Sequence, residues 1–236
     1  MKKQLTHFII VYSLLALCIG AIIFQFAYKP PTAESIFKNN LKTVVELKAF
    51  NDDDLDSATY GSAVCIDKTG LLITNAHVVS YKQVSTNIVF DTIQIRLASS
   101  ELYTSASLEK IDYGKDLALL KVNPPGLGLV PAKMRTSELK EGETIYAIGN
   151  GQNYGISVKN SIISQRELNV IADGRSITAI QCDLNITSDN SGGALIDSKS
   201  RLIGITTFRL RDASGNTIFG TSFAIPVKMI KEFIYF

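Results

Sequence analysis

Histidine is almost missing from this chain. Two occur in 236 residues, and with the N-terminal apolar run set aside only His77 is left. One imidazole is too few for a common zinc site, and any reaction that needs an imidazole base has a single candidate. Cysteine is sparse as well: Cys18, Cys65 and Cys182 show no metal-ligand spacing. Cys18 falls within the apolar run. Cys65 and Cys182 stand in apolar, strand-like stretches of different halves and read as buried free thiols, with a disulfide in an oxidising compartment as the alternative. An excess of one charge is also lacking. The formal net charge is +2, so nothing marks a nucleic-acid partner. Long helical periodicity is absent between the N-terminal run and Pro226, which argues against a helical bundle.

What the chain does have begins at its N-terminus. Phe8 to Tyr28 is apolar except for Ser13 and Gln25. A helix of that length spans about 30 Å, the thickness of a hydrocarbon core. Lys2, Lys3 and the terminal amine flank its start, which predicts a cytoplasmic N-terminus and an extracytoplasmic remainder. No small-x-small cleavage site precedes Lys29-Pro30-Pro31, and Leu17 spoils a lipoprotein site at Cys18. The expectation is an uncleaved single-pass anchor in the cell membrane, with a secreted, cleaved form as the alternative. Residues 1–28 are then the cytoplasmic tip and anchor, and residues 29–40 a linker with a helical turn over Ser35 to Leu41.

From residue 41 onward the pattern is one of short strands. The predicted runs are 43–47, 61–66, 71–75, 88–97, 104–108 and 117–122. After Asn123-Pro124-Pro125-Gly126 come 144–149, 156–164, 177–182, 193–196, 202–208 and 220–224. Asn51 to Asp56 reads as an acidic loop, and Asp67-Lys68-Thr69-Gly70 as a hairpin turn. Pro226 opens a helical period that runs to the C-terminus. The predicted fold class is all-β: two antiparallel β-barrels, over about 41–130 and 131–225, with an N-terminal transmembrane helix and a short C-terminal helix over 226–236.

Three segments carry chemistry: Thr74-Asn75-Ala76-His77-Val78-Val79, Asp116-Leu117-Ala118-Leu119-Leu120, and Asp189-Asn190-Ser191-Gly192-Gly193. A serine hydroxyl is a poor nucleophile unless a base takes its proton and a third group orients that base. Ser191, His77 and Asp116 fit these roles in the chain order His, Asp, Ser. Each stands at the edge of a strand run.

These segments resemble those of HtrA-type (high-temperature-requirement) serine proteases. Gly61-Ser62-Ala63-Val64 leading to His77 is similar to their histidine segment. Asp116 to Val122 is similar to their aspartate segment, and Ile180 to Asp183 with Asn190 to Ile196 to their serine segment. Gly204-Ile205-Thr206-Thr207 and Phe223-Ala224-Ile225-Pro226 match the strands that follow, so the likeness extends over about 44–234. The resemblance implies two six-stranded barrels of the chymotrypsin-like kind and serine endopeptidase chemistry on polypeptide substrates, without a cofactor or metal. Ser191 would be the nucleophile, His77 the general base and Asp116 its orienting partner. Backbone N–H groups of Ser191 and Asp189 would form the oxyanion hole. Asn185, Ile186, Thr206, Thr207 and Phe208 would line the specificity pocket, where uncharged Asn185 lends no support to Arg or Lys preference. A homotrimer is the family's usual assembly. Its usual PDZ domains follow the protease, and peptide sensing by one is not expected within a chain ending at Phe236.

Asp189 departs from the family pattern, which has glycine there. A carboxylate beside a developing oxyanion opposes catalysis, so the expectation is a hole that is imperfect at rest and a kcat that rises in Asp189→Gly. The same residue motivates a second expectation, a catalytically weak or inactive protease fold that binds peptides as an added strand. Asn190 replaces the aspartate that trypsin-like zymogens pair with a new N-terminus, so activation by N-terminal cleavage is not expected. Gly149 to Gly155 misses the dinucleotide spacing, and Asp52, Asp54 and Asp56 lack the glycine and closing glutamate of a calcium loop. Asn185-Ile186-Thr187 is a glycosylation sequon by letters only.

Overall fold

The computed structural model describes all residues except 1, 28–30, 124–126, 151–153, 173–174, 185–189, 212–216 and 236. It contains two compact units, Met1–Thr32 and Ala33–Phe236. The first holds helix α1, Lys2–Ala27. Within it Gln4–Ile23 has a mean hydropathy of 2.3 and is long and apolar enough to cross a membrane. Its large apolar side chains, Phe8, Ile9, Leu14, Leu17 and Ile22 among them, are exposed in the unit itself. That suits a lipid surrounding rather than a protein core.

The second unit opens with α2, Ala33–Asn40. Ile36 is buried, and the Asn40 side-chain amide donates to the Ile36 carbonyl at 2.7 Å. This helix packs on the domain, where the sequence reading placed the end of a linker. Then follow β1 (Val44–Asn51), β2 (Asp54–Cys65), β3 (Leu71–Thr74), α3 (Ala76–Val79), β4 (Ser80–Gln83), β5 (Thr86–Val89), β6 (Thr92–Leu97), β7 (Thr104–Asp112) and β8 (Leu117–Val122). β1-β2-β3-β8-β7-β6 closes into a six-stranded barrel, and β4-β5 is a separate hairpin beside it.

The second half comprises β9 (Lys133–Met134), β10 (Thr144–Asn150), β11 (Ile156–Ala172), β12 (Arg175–Cys182), β13 (Ala194–Asp197), β14 (Arg201–Arg211) and β15 (Thr217–Pro226). The sheet order is β13-β10-β11-β12-β15-β14-β9. An extra β13–β14 pairing joins the ends of its six antiparallel strands, and β9 adds in parallel to β14. Helix α4, Val227–Tyr235, then lays Val227, Ile230 and Phe233 on the body.

The strands form because both of their faces find apolar partners. In β1, Val45, Leu47 and Ala49 enter the core of the first barrel while Val44 faces the layer between the two sheets. In β8, Ala118, Leu120 and Val122 point into the same core, and Leu117 and Leu119 to the shared layer. In β10, Ile145 and Ala147 fill the second core, and Tyr146 and Ile148 return to the shared layer. This period-two division between two buried faces explains the near-continuous apolar runs. Each fully buried Leu or Ile contributes about 1.5–3 kcal/mol.

Several boundaries differ from expectation. The acidic loop shrinks to a tight turn, because β1 reaches Asn51 and β2 starts at Asp54. The run 88–97 breaks at Phe90, whose N–H donates to the Val79 carbonyl instead of a barrel strand. Pro226 ends β15 rather than starting α4. β4 and the short β9 carry no strong apolar alternation and were not expected, and the first two residues of the run 88–97 belong to β5 of the separate hairpin. Cys65 and Cys182 are free and buried in separate cores, and burial pushes their thiols up to about 11 and about 12.

Candidate active site

His77 sits on the one-turn helix α3, just after β3. Asp116 immediately precedes β8, the neighbour of β3 in the barrel, and adopts φ +55°. That left-handed conformation is tolerated by aspartate better than by most side chains. It turns the carboxylate onto the imidazole. His77 Nδ1 lies 3.0 Å from Asp116 Oδ1 and 2.9 Å from Oδ2, and the His77 backbone N–H donates to Oδ1 at 3.1 Å. The Thr207 hydroxyl donates to Oδ2 at 2.7 Å. A carboxylate facing Nδ1 places the ring proton there and leaves Nε2 as the basic nitrogen.

The Asp116 side chain is 6% exposed, whereas that of His77 is 46% exposed. Burial alone would raise the Asp116 carboxyl. The His77 hydrogen bond and charge, the Thr207 hydroxyl and the His77 N–H together outweigh it and hold the group below the ordinary carboxylate value.

Ser191 comes from the other sheet, on the turn before β13, and is buried. Four hydrogen bonds to three neighbours fix this turn. The Ser62 N–H donates to the Ser191 carbonyl at 2.9 Å. The Gly192 N–H reaches both the Thr206 carbonyl at 2.8 Å and the Asn75 side-chain oxygen at 2.7 Å. The Thr206 hydroxyl donates to the Asn190 carbonyl at 2.5 Å. Asn75 in turn donates its side-chain amide to the Asp116 carbonyl at 3.0 Å, so one amide spans the two halves of the site. Gly192 has φ +79°, and a Cβ there would collide with the Ser62 carbonyl and the Thr74 hydroxyl.

The Ser191 hydroxyl donates to the Thr207 carbonyl at 2.7 Å. Among the described residues it makes no hydrogen bond to His77. Thr207 thus touches two of the three expected catalytic residues, Asp116 through its hydroxyl and Ser191 through its carbonyl. A cleft of about 530 Å³ opens beside His77, bounded by Tyr81, Lys82 and Asn87 of the β4–β5 hairpin and by Tyr113.

Of the expected pocket residues, Thr206 and Thr207 are buried and use their hydroxyls inside the site. Asn185, Ile186 and Asp189 lie outside the described residues, as does the side chain of Phe208. Sequence reasoning assigned no role to Asn75 or Ser62 and did not link Thr207 to Asp116. Their only signal was adjacency to motif residues, which does not specify a bond across the cleft. Among the described residues no group of three His, Cys, Asp or Glu side chains is placed to hold a metal ion.

Residues 61–205 match the family of the trypsin-like peptidase domain, and the chain belongs to that family. Within it the chain is of the HtrA type. It is 34% identical to the serine endoprotease DegS of Haemophilus influenzae over 187 residues, covering 78% of this chain and 52% of that protein. It is 32% identical to the serine protease HTRA4 of Mus musculus over 201 residues, covering 81% of this chain and 38% of that one. Among solved structures, the HtrA-type protease AlgW with a tripeptide superposes with a TM-score of 0.72 at 31% identity, covering 86% of this chain and 62% of that chain. The chain thus spans about half the length, or less, of the curated relatives it matches.

Proposed function

We propose that the protein is a serine endopeptidase that hydrolyses polypeptide substrates, tethered to the cell membrane through residues 8–28. The observation that carries this reading is the buried Asp116 carboxylate. It grips His77 Nδ1 with both oxygens and connects through Thr207 to the Ser191 hydroxyl.

In the proposed reaction the Ser191 hydroxyl turns from the Thr207 carbonyl toward His77. Its oxygen bonds to the scissile carbonyl carbon as Nε2 takes the proton. Backbone N–H groups of Ser191 and Asp189 receive the oxyanion. Collapse breaks the C–N bond, and the proton on Nε2 passes to the leaving amine. Water then repeats the sequence on the acyl-enzyme, and Asp116 stabilises the imidazolium each time. Asn185, Ile186 and Phe208, with Thr206 and Thr207, shape the pocket for the residue before the cleaved bond.

The test is labelling by a fluorophosphonate in wild type, Ser191→Ala and His77→Ala. Labelling of wild type alone is the expected result. No labelling of any of the three would remove the enzymatic reading. The hydrogen bond of the Ser191 hydroxyl to the Thr207 carbonyl, with none to His77 among the described residues, favours a second reading: a protease fold that binds peptides and turns over weakly or not at all. Peptide binding without labelling would select it.

For topology, the reading places Lys2 and Lys3 in the cytoplasm and the protease domain outside. Protease added to intact cells should digest the domain and spare the N-terminal tip. Assembly as a homotrimer, the finer part of this reading, is checked by sedimentation of the detergent-solubilised protein.

A further inference from the structure

A charged row crosses the outside of the first barrel where it meets the second sheet. The alternation that sends Val45 and Leu47 into the barrel core turns Glu46, between them, to the opposite face. In the strand register Glu46 lies directly opposite Ser62 on β2 and opposite Arg96 on β6. Glu46 is buried, and its carboxylate accepts from Arg96 Nη2 at 2.7 Å. The Arg96 Nε is buried with no hydrogen-bond partner. Nothing in this arrangement favours stability strongly, because taking the two charges out of water offsets much of their attraction. The best-attested use of such a pair is to set registry between packed parts.

The packed part is the end of β10. Asn150 is fully buried there and donates its side-chain amide to the same Glu46 oxygen at 3.3 Å. Its backbone N–H donates to the Ser62 hydroxyl at 2.8 Å, and its side-chain oxygen accepts the Gly155 N–H at 3.0 Å. Asn150 therefore meets both Glu46 and Ser62, two cross-strand neighbours, from the opposite sheet. Ser62 is the pivot. Its hydroxyl takes the Asn150 N–H, its carbonyl takes the Thr74 hydroxyl at 2.7 Å, and its N–H donates to the Ser191 carbonyl at 2.9 Å. Close packing leaves no slack. A Cβ on Gly149 would stand 2.9 Å from the Ser62 hydroxyl and 3.4 Å from Gly193 Cα, and one on Gly61 would stand 3.1 Å from the Ser191 carbonyl oxygen.

We propose that the row Arg96–Glu46–Ser62, joined to β10 through Asn150, is a positioning device that sets the backbone of the Ser191 turn from the first barrel. This rests on the reading of Ser191 as nucleophile. Ser62 and Glu46 are positioning residues: neither takes part in bond making, and both act through the peptide that carries the nucleophile. Geometry is where such residues matter, since a reacting group misplaced by about 1 Å loses about a hundredfold in rate.

The test uses the full chain and the variants Ser62→Ala, Glu46→Gln and the double variant. Ser62→Ala removes the hydroxyl while keeping the N–H bond to Ser191. The expected result is a fluorophosphonate labelling rate and kcat lowered about tenfold with KM changed less than about twofold, because a lost hydrogen bond here shifts the turn rather than the substrate site. Glu46→Gln should lower the labelling rate in the same direction, and the double variant should fall no further than Ser62→Ala, because both act through one path. Amide exchange over residues 190–194 should speed up in both single variants. Wild-type labelling with an unchanged rate in Ser62→Ala would overturn the positioning role, and additive losses would overturn the link from Glu46 to Ser62. If wild type itself does not label, the peptidase reading has failed. The exchange at 190–194 then still decides the coupling, and unchanged exchange in both variants ends it.

Discussion

The first barrel and the second sheet bring different kinds of order to the site. His77 and Asp116 belong to a closed barrel, on α3 and at the start of β8, whose neighbour strands pair from Thr74↔Ala118 onward. Their mutual geometry is set by direct side-chain bonds. Ser191 sits on a turn outside any strand. Its backbone is fixed from the other half of the molecule, by Ser62 and Asn75, as much as by its own sheet through Thr206. The proposed base is thus built locally, and the proposed nucleophile is positioned by neighbours. A carboxylate can be desolvated once, within one barrel, where the His77 ring and backbone N–H meet it, while a neutral hydroxyl is cheap to place on a turn and free to rotate.

The strongest way to break the first half is Asp116→Asn. An amide presents a donor to Nδ1, reverses the tautomer and should lower kcat by about four orders of magnitude with the fold intact. Steady-state kinetics check it, and a loss smaller than about tenfold would show that another group orients His77. The same variant has a pH signature. The Asp116 carboxyl is held below its unfolded value, so the folded protein binds fewer protons there. Its stabilising contribution is complete above the ordinary carboxylate value, about pH 4, and is lost as pH falls through the lower folded value. Thermal melts in acid should show that part of the decline disappearing in Asp116→Asn.

The turn can be broken by contrast between two glycines. Gly192 and Gly142 share φ +79°, but a Cβ at Gly192 meets the Ser62 carbonyl and Thr74 hydroxyl, while at Gly142 it meets nothing within 4 Å. Gly142→Ala should cost about 1 kcal/mol from backbone strain alone. Gly192→Ala should cost about 3 kcal/mol or more, because two fixed oxygens must also move. Urea unfolding of the two variants measures the difference, and equal costs would mean that the turn is not clamped from the first barrel.

Thr207→Val sharpens the comparison most gently. It deletes the hydroxyl bond to Asp116 and keeps the carbonyl that holds Ser191. The expected loss in kcat is about ten- to a hundredfold, the worth of a hydrogen bond to a charged acceptor. Melts in acid should lose the Asp116 contribution at a higher pH than in wild type, since one of the groups that stabilises the ionised carboxylate is gone. An unmoved acid transition would confine Thr207 to a packing role.

Much of this is legible in the sequence. The β-branched and apolar runs of β1, β8 and β10 announce strands, and the rarity of histidine singles out His77. What was not legible lies between elements. Strand β4 reads as ordinary polar chain, since Ser80 to Gln83 has no apolar alternation to mark it, and nothing in the run 88–97 shows that its first two residues pair with β4. Asn75 and Ser62 look like motif neighbours, and their bonds run 117 and 129 positions along the chain to Gly192 and Ser191. Glu46 stands in the β-branched run 43–47 with nothing local to give it a role, yet it is 3% exposed.

The amino-acid sequence by itself determined which residues could act as base, orienting carboxylate and nucleophile, and which segments would pair as strands. Residue type and apolar spacing are local properties, and those choices follow from them. Only the tertiary structure decided that Thr207 connects Asp116 to Ser191, that the serine hydroxyl rests on a carbonyl instead of on the imidazole, and that Glu46 is buried against the second sheet. Each depends on where two distant stretches of backbone come to rest against one another. Hydrogen bonds reach about 3 Å, so such pairings exist only once packing has brought both sheets to that distance.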